Sequence, residues 1–190
     1  MTRAVFIDRD GTINVDKDYL TDPDEIEFIE GSPEAIKLAN SLGLKVVVIS
    51  NQSGVARGMM TTNQVDSVNA RLVQLLGEKG AIVDAIYYCP HHPDYGERVK
   101  CTCRKPGIGM LLRAKEELDL DLDGSFVIGD KWVDVKCGEN AGALTSLVRT
   151  GYGDNDYRRC IDAGIKIDYL AKNLYESVTN FVRKKIETDN

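Results

Sequence analysis

Residues 5–14 read VFIDRDGTIN. Val5, Phe6 and Ile7 make a short apolar run of the kind that forms a buried strand, and it ends on Asp8. Asp10 stands two places further on, ahead of Gly11 and Thr12. Like charges this close repel each other, and a structural turn needs neither acid. A positive group is therefore expected between them.

Working outward, strand-like and helix-like segments alternate. Residues 31–43 carry helix signals, with Ser32 as the expected N-cap, Pro33 as the first helical residue and Gly43 as the stop. Residues 44–50 are β-branched and read as a buried strand. Residues 61–80 space Val65, Val68, Leu72, Leu75 and Leu76 at helical intervals. Further strands are expected at 83–89, 125–130 and 144–151, and helices at 107–118 and 133–142. The tail suggests a short strand at 165–169 and a helix over 173–186. This alternation predicts an α/β chain with a Rossmann-like, mostly parallel sheet covered by helices on both faces, and one domain over 1–190. Ligands bind such sheets beyond the carboxyl ends of the strands. The unusual chemistry lies there: the first strand ends on Asp8, the second on Ser50 and the fourth on Asp130.

The chain has 190 residues, 43% hydrophobic and 28% charged, enough for a sizeable core. No apolar run reaches a membrane span, and the first residues lack a signal-peptide layout, so the cytosol and reduced thiols are expected. A net charge of −6 disfavours nucleic acid as a partner without excluding an anionic small molecule. No dimer stripe stands out, and a monomer is expected.

Asp8, Asp10 and Asp130 are carboxylates that suit a hard cation with few protein ligands, such as Mg2+. Asp8 would then be a nucleophile and Asp10 a general acid and then base. Ser50 would donate to a phosphoryl oxygen, and Lys105 would supply fixed positive charge. A lone pair of acids is most often a solvated turn, and Gly-Asp after a strand is a common loop start. In this order, at these strand ends, they favour a site. The segments FIDRDGTIN, VVVISNQSG, CRKP and VIGDKWVD resemble, in order, the four motifs of the haloacid dehalogenase-like phosphatases, across roughly residues 4–134. The resemblance implies a two-step hydrolysis through an aspartyl-phosphate on Asp8. It implies Mg2+ held by the Asp8 side chain, the Asp10 main-chain carbonyl and Asp130, with Asp134 supporting Lys105 or the ion's outer shell.

Residues 89–106, CPHHPDYGERVKCTCRKP, hold three cysteines and both histidines. Cys89, a histidine, Cys101 and Cys103 suit a closed tetrahedral Zn2+ site that pins a loop at 89–105 and leads directly into Arg104 and Lys105. Four soft ligands within fifteen residues rarely gather by chance, which disfavours a set of plain thiols, and a reducing compartment disfavours a disulfide. Spacing leaves His91 and His92 equally open. Cys137 and Cys160 read as ordinary free thiols.

This loop resembles a zinc-loop subfamily containing heptose bisphosphate phosphatases and histidinol-phosphatases, and NQSGVARG is more similar to the former. That resemblance favours His91 as the ligand and implies no large cap domain, so that loops 14–30, 51–60 and 89–106 shape the pocket around a small sugar bisphosphate. It also implies substrate contacts from Asp16, Lys17, Asp18, Tyr19, Ser50, Asn51, Gln52, Ser53, Arg104, Lys105 and Lys131. Arg104 is the first candidate for the remote phosphate because a guanidinium clasps phosphate at two points. Arg57 and Lys131 come next, with a solvated loop cation an even alternative for Arg57. A reading from another class is a zinc-loop binding module on a catalytically dead sheet; the intact acids and Lys105 argue against it.

Overall fold

The computed structural model describes residues 2–97 and 100–189. β1 (Thr2–Ile7) lies inside a six-stranded sheet. β2 (Lys45–Asn51) and β3 (Ala85–Cys89) flank it on one side; β4 (Leu120–Gly129), β5 (Leu144–Val148) and β6 (Tyr169–Ala171) lie on the other. Every pairing is parallel. The chain winds outward from β1 to β3 and then returns to pair β4 with β1. The carboxyl ends of β1 and β4 therefore sit at the reversal of strand order, where such sheets leave a crevice.

Period-two alternation sends successive β1 side chains to opposite faces. Val5 and Ile7 join a core with Ala35, Ile36 and Ala39 of α1 (Ser32–Ser41) and Leu72 and Leu76 of α2 (Thr62–Glu78). The C-terminal helical run completes that layer. It comprises α6 (Leu174–Ser177), a π-helical segment (Val178–Val182) and α7 (Arg183–Asp189). Ala4 and Phe6 face the other way, onto Met110, Leu111 and Ala114 of α3 (Gly109–Leu118) and Cys137 of α4 (Trp132–Ala141). Each fully buried Val, Ile, Leu or Phe contributes about 1.5–3 kcal/mol, so both layers hold the central strands firmly. α2 starts with a reciprocal cap, Thr61 Oγ1 accepting from Gln64 N and Gln64 Oε1 accepting from Thr61 N, worth about 1 kcal/mol.

The α/β expectation holds, with four differences in detail. α1 is capped by Gly31 in the left-handed region; Ser32 is already helical. β4 begins at Leu120 rather than near 125, because Thr2 and Arg3 pair with Leu120 and Asp121 ahead of a register shift. The last strand is Tyr169–Ala171, later than expected. A helix absent from the sequence reading, α5 (Gly153–Asp162), follows β5; it is largely polar and buries only Gly153 and Cys160. No helix among the described residues is long and apolar enough to cross a membrane.

Candidate active site

β1 delivers Asp8 to the crevice, where its N–H donates to Ile128 O of β4 at 2.9 Å. Lys105 comes from the 89–106 loop and is 2% exposed. Its ammonium donates to Asp8 Oδ1 at 2.8 Å and Ile49 O at 2.9 Å, and lies 2.6 Å from Asp134 Oδ1. Burial alone would lower the Lys105 pKa, but Asp134 and Asp8 outweigh it and push it up, so the cation is permanent. Asn51 fixes the Lys105 peptide, accepting from its N at 3.0 Å and donating to its O at 3.1 Å.

Asp130 is fully buried after β4. Its Oδ2 accepts from Tyr152 N at 2.9 Å, while Oδ1 has no hydrogen-bond partner among the described residues. Gly11 and Gly151, both at positive φ, press against this carboxylate, and a Cβ on either would overlap Asp130 Oδ2. Asp8, Asp130 and Asp134 bring carboxylate oxygens within 4.8 Å of one another. Burial, and then the Asp8 charge, push Asp130 up to about 8 and Asp134 up to about 6. Lys105 and the half-buried Lys131 do not neutralise three acids, and the unpartnered Asp130 Oδ1 is oxygen chemistry suited to a divalent cation.

Asp10 has a different environment. Arg9 Nη2 donates to Asp10 Oδ2 at 2.8 Å, with Nε 3.1 and 3.2 Å from the two oxygens. Asn14 Nδ2 donates to Oδ1 at 2.9 Å and Gln52 Nε2 to Oδ2 at 2.9 Å. Burial would raise this carboxyl, but the Arg9 charge and these donors hold it below the usual range. Its side chain stays 15% exposed, open to a ligand. The Asp10 carboxylate is thus turned to Arg9 and does not join the acid cluster; only its main-chain carbonyl is left to serve an ion. The positive group expected between the two acids is in part Arg9 itself, which the sequence reading passed over. Asn69 was also missed, and its Oδ1 accepts from Arg9 Nη1 at 2.8 Å.

A cleft of about 230 Å³ above these groups is lined by Asp10, Asp16, Asp18, Tyr19, Asn51, Gln52, Ser53, Gly54, Lys131 and Tyr152. A hollow of about 40 Å³ beside it reaches Asp8, Ser50, Lys105 and Asp134. Gln52 Nε2 also donates to Ser50 Oγ at 2.7 Å. Lys131 holds Asp16 at 3.1 Å and lies 4.8 Å from the centre of the Tyr152 ring. Tyr152 is a further residue that the sequence did not signal. Lys17 is not brought to the cleft: its ammonium donates to Glu25 O at 2.8 Å and lies 3.7 Å from Glu27. Arg104 lines a separate hollow with His91, His92 and Lys100, and its Nη1 donates to His91 O at 3.0 Å. Arg57 Nη2 sits 3.0 Å from His92 Nε2, and the guanidinium lies 4.2 Å from the centre of the Tyr95 ring.

The expected soft cluster is assembled from Cys89, His91, Cys101 and Cys103, with all ligand atoms within 4.8 Å. Cys89 Sγ lies 3.0 Å from Cys103 Sγ, 3.8 Å from Cys101 Sγ and 3.6 Å from His91 Nδ1. A zinc tetrahedron with bonds of about 2.3 Å has edges of about 3.8 Å, which the Cys89–Cys101 and Cys89–His91 separations match, while the Cys89–Cys103 pair is closer. Burial, followed by the neighbouring cysteines, pushes the Cys89 thiol up, so a thiolate there needs a cation. His92 turns instead toward Arg57. Residues 98 and 99 of this loop lie outside the described residues.

Residues 102–177 match the HAD-hydrolase-like family model. The chain is 40% identical over 189 residues to D-glycero-D-manno-heptose-1,7-bisphosphate 7-phosphatase of Chlorobaculum tepidum, covering 95% of this chain and 94% of that protein. It is 43% identical over 152 residues to D-glycero-beta-D-manno-heptose-1,7-bisphosphate 7-phosphatase of Escherichia coli K12, covering 78% and 80% of the two chains. The crystal structure of D,D-heptose 1,7-bisphosphate phosphatase from B. bronchiseptica, complexed with magnesium and phosphate, superimposes with a TM-score of 0.85 at 31% identity, covering 96% of this chain and 99% of that one. With the sheet order, the acids at its switch point and this similarity along nearly its whole length, the chain belongs to the D-glycero-D-manno-heptose-1,7-bisphosphate 7-phosphatase family of HAD-like hydrolases.

Proposed function

We propose that this chain hydrolyses the C7 phosphate of D-glycero-D-manno-heptose 1,7-bisphosphate, releasing heptose 1-phosphate for the synthesis of nucleotide-activated heptose. The observation that carries the reading is the Asp8 carboxylate, paired with buried Lys105 in the small hollow beside a polar cleft, in a chain so similar to enzymes of that name.

In the first step an Asp8 oxygen attacks phosphorus. The bond from phosphorus to the C7 oxygen breaks, and that oxygen takes a proton from Asp10, which is ionised in the free protein and would take up the proton of the incoming phosphate monoester monoanion on binding. In the second step water attacks the aspartyl-phosphate and gives a proton to Asp10. The acyl-phosphate bond breaks, the Asp8 carboxylate returns and inorganic phosphate leaves. Lys105 and the Ser50 hydroxyl stabilise the phosphoryl oxygens as negative charge develops. Asp16, Asp18 and Tyr19 line the wall that would meet sugar hydroxyls. Asp8, Asp130 and the Asp10 carbonyl would hold Mg2+, which supplies charge neutralisation for the attack of one anion on another. Cys89, His91, Cys101 and Cys103 would hold a structural Zn2+ that fixes the loop carrying Arg104 and Lys105.

The test is a side-by-side assay with heptose 1,7-bisphosphate, fructose 1,6-bisphosphate and histidinol phosphate. The heptose ester is expected to have the highest kcat/KM. A clear preference for histidinol phosphate would overturn the substrate assignment.

A further inference from the structure

Arg9 is the largest fully buried side chain among the described residues, 1% exposed, and in sequence it stands between the two reactive acids. Its charge is nonetheless committed to one of them. Asp8 is held by Lys105, whereas Arg9 grips Asp10 through Nε and Nη2 and is itself anchored by Asn69 of α2 through Nη1. A buried guanidinium with all its visible bonds directed this way orients a carboxylate in two dimensions, which a point charge cannot do. Four side-chain nitrogens donate to Asp10, and of the residues that supply them Gln52 alone lines the cleft. The Gln52 bond is the one an incoming oxygen can replace. Arg9 and Asn14 then keep the carboxylate aimed.

We infer that Arg9, anchored by Asn69, is the positioning residue for the acid/base group: it acts on the leaving oxygen only through Asp10 and does not touch substrate. The inference rests on the phosphatase reading above. Its consequence is selective. The bond from phosphorus to an alkyl oxygen needs a proton delivered as it breaks. The bond to p-nitrophenolate does not, because that anion leaves unaided. Attack by Asp8 is common to both.

The experiment is a rapid-mixing measurement of the first turnover on the Mg2+- and Zn2+-loaded enzyme. It compares Arg9→Gln and Asn69→Ala with wild type, using heptose 1,7-bisphosphate and p-nitrophenyl phosphate. General acid catalysis contributes about 10²–10⁴-fold, so Arg9→Gln is expected to slow first-turnover sugar release by about 10²-fold. Asn69→Ala is expected to slow it by about 10-fold, since only the far anchor is lost. Both variants should keep a nitrophenolate burst within about 3-fold of wild type, followed by slowed turnover because Asp10 also activates the water. Equal losses on the two substrates, or no loss on the sugar, would overturn the inference. If Arg9→Gln shows no cooperative melt, the ratio in Asn69→Ala decides by the same criterion. A wild-type chain inert to both phosphates is a separate result, and overturns the phosphatase reading itself.

Discussion

The acid crevice and the cysteine loop face the same physical problem and solve it differently. Each gathers groups that cannot all be charged without a cation. The crevice is built on strand ends, so the sheet fixes the positions of Asp8 and Asp130 before any ion binds. The loop between β3 and α3 has no helix or strand among its described residues, so of the four ligands only Cys89, at the end of β3, is held by the sheet, while His91, Cys101 and Cys103 are held by turns and by each other. On the proposed reading, one is preorganised by packing and takes an ion for chemistry, and the other takes an ion for shape. Lys105 joins them, rooted in the loop with its charge spent in the crevice.

The comparison is broken most directly at Asp8. Asp8→Asn should lower kcat by more than about 10⁴-fold, as loss of a nucleophile does, while zinc content and Tm stay near wild type. A parallel loss of zinc would mean that the two regions are not separable. Cys103→Ser, or selective removal of zinc, should lower kcat/KM by about 10²-fold, because a displaced Lys105 misorients the phosphoryl group. Excess Mg2+ should not restore it. Recovery of activity with Mg2+ alone would show that the loop does not place Lys105.

A third outcome concerns pH. In Mg2+-free protein that retains its zinc, Asp130 is pushed up to about 8 and Asp134 up to about 6, first by burial and then by Asp8. Both lie above the unfolded carboxylate range, so the folded chain binds protons that the unfolded chain has released. Their contribution is intact below about pH 4 and is lost as pH rises through about 6 and 8. Tm should therefore fall from pH 5 to pH 8, and added Mg2+ should raise it more at pH 8. A flat profile would mean that the acid cluster is balanced without a metal. The smallest effect is expected at Lys17, whose ammonium clasps Glu25 O away from the cleft. Lys17→Ala should change kcat/KM by less than about 3-fold and stability by about 0.5 kcal/mol or less. A larger loss would return Lys17 to the substrate wall.

Legibility followed the strength of the local signal. Asp8, Ser50 and Asp130 could be read because each ends a β-branched run, and such runs seldom serve any state but a buried strand. Cys89, Cys101 and Cys103 could be read because soft ligands are scarce. The 120–124 part of β4 was missed because Asp121 and Asp123 interrupt the apolar run, although Leu120 and Leu122 are buried. α5 was missed because it is rich in acids and arginines and carries few apolar residues to mark a buried face. Arg9 was in plain view and was passed over, since arginine is rarely fully buried unless paired. Its partners are Asp10 beside it and Asn69, sixty positions away.

The amino-acid pattern alone determined the parallel sheet, the strand ends on which Asp8 and Asp130 stand, and the three cysteines of the soft cluster. These follow from the period of the apolar residues and from the elements' intrinsic donor chemistry, which are local. The folded structure decided which acids share a cluster, that His91 rather than His92 faces the sulfurs, that Lys17 turns away and that Arg9 turns inward. Those outcomes depend on which side chains meet across the crevice. A buried charge takes whatever partner the packing brings within about 3 Å, and sequence distance does not report that.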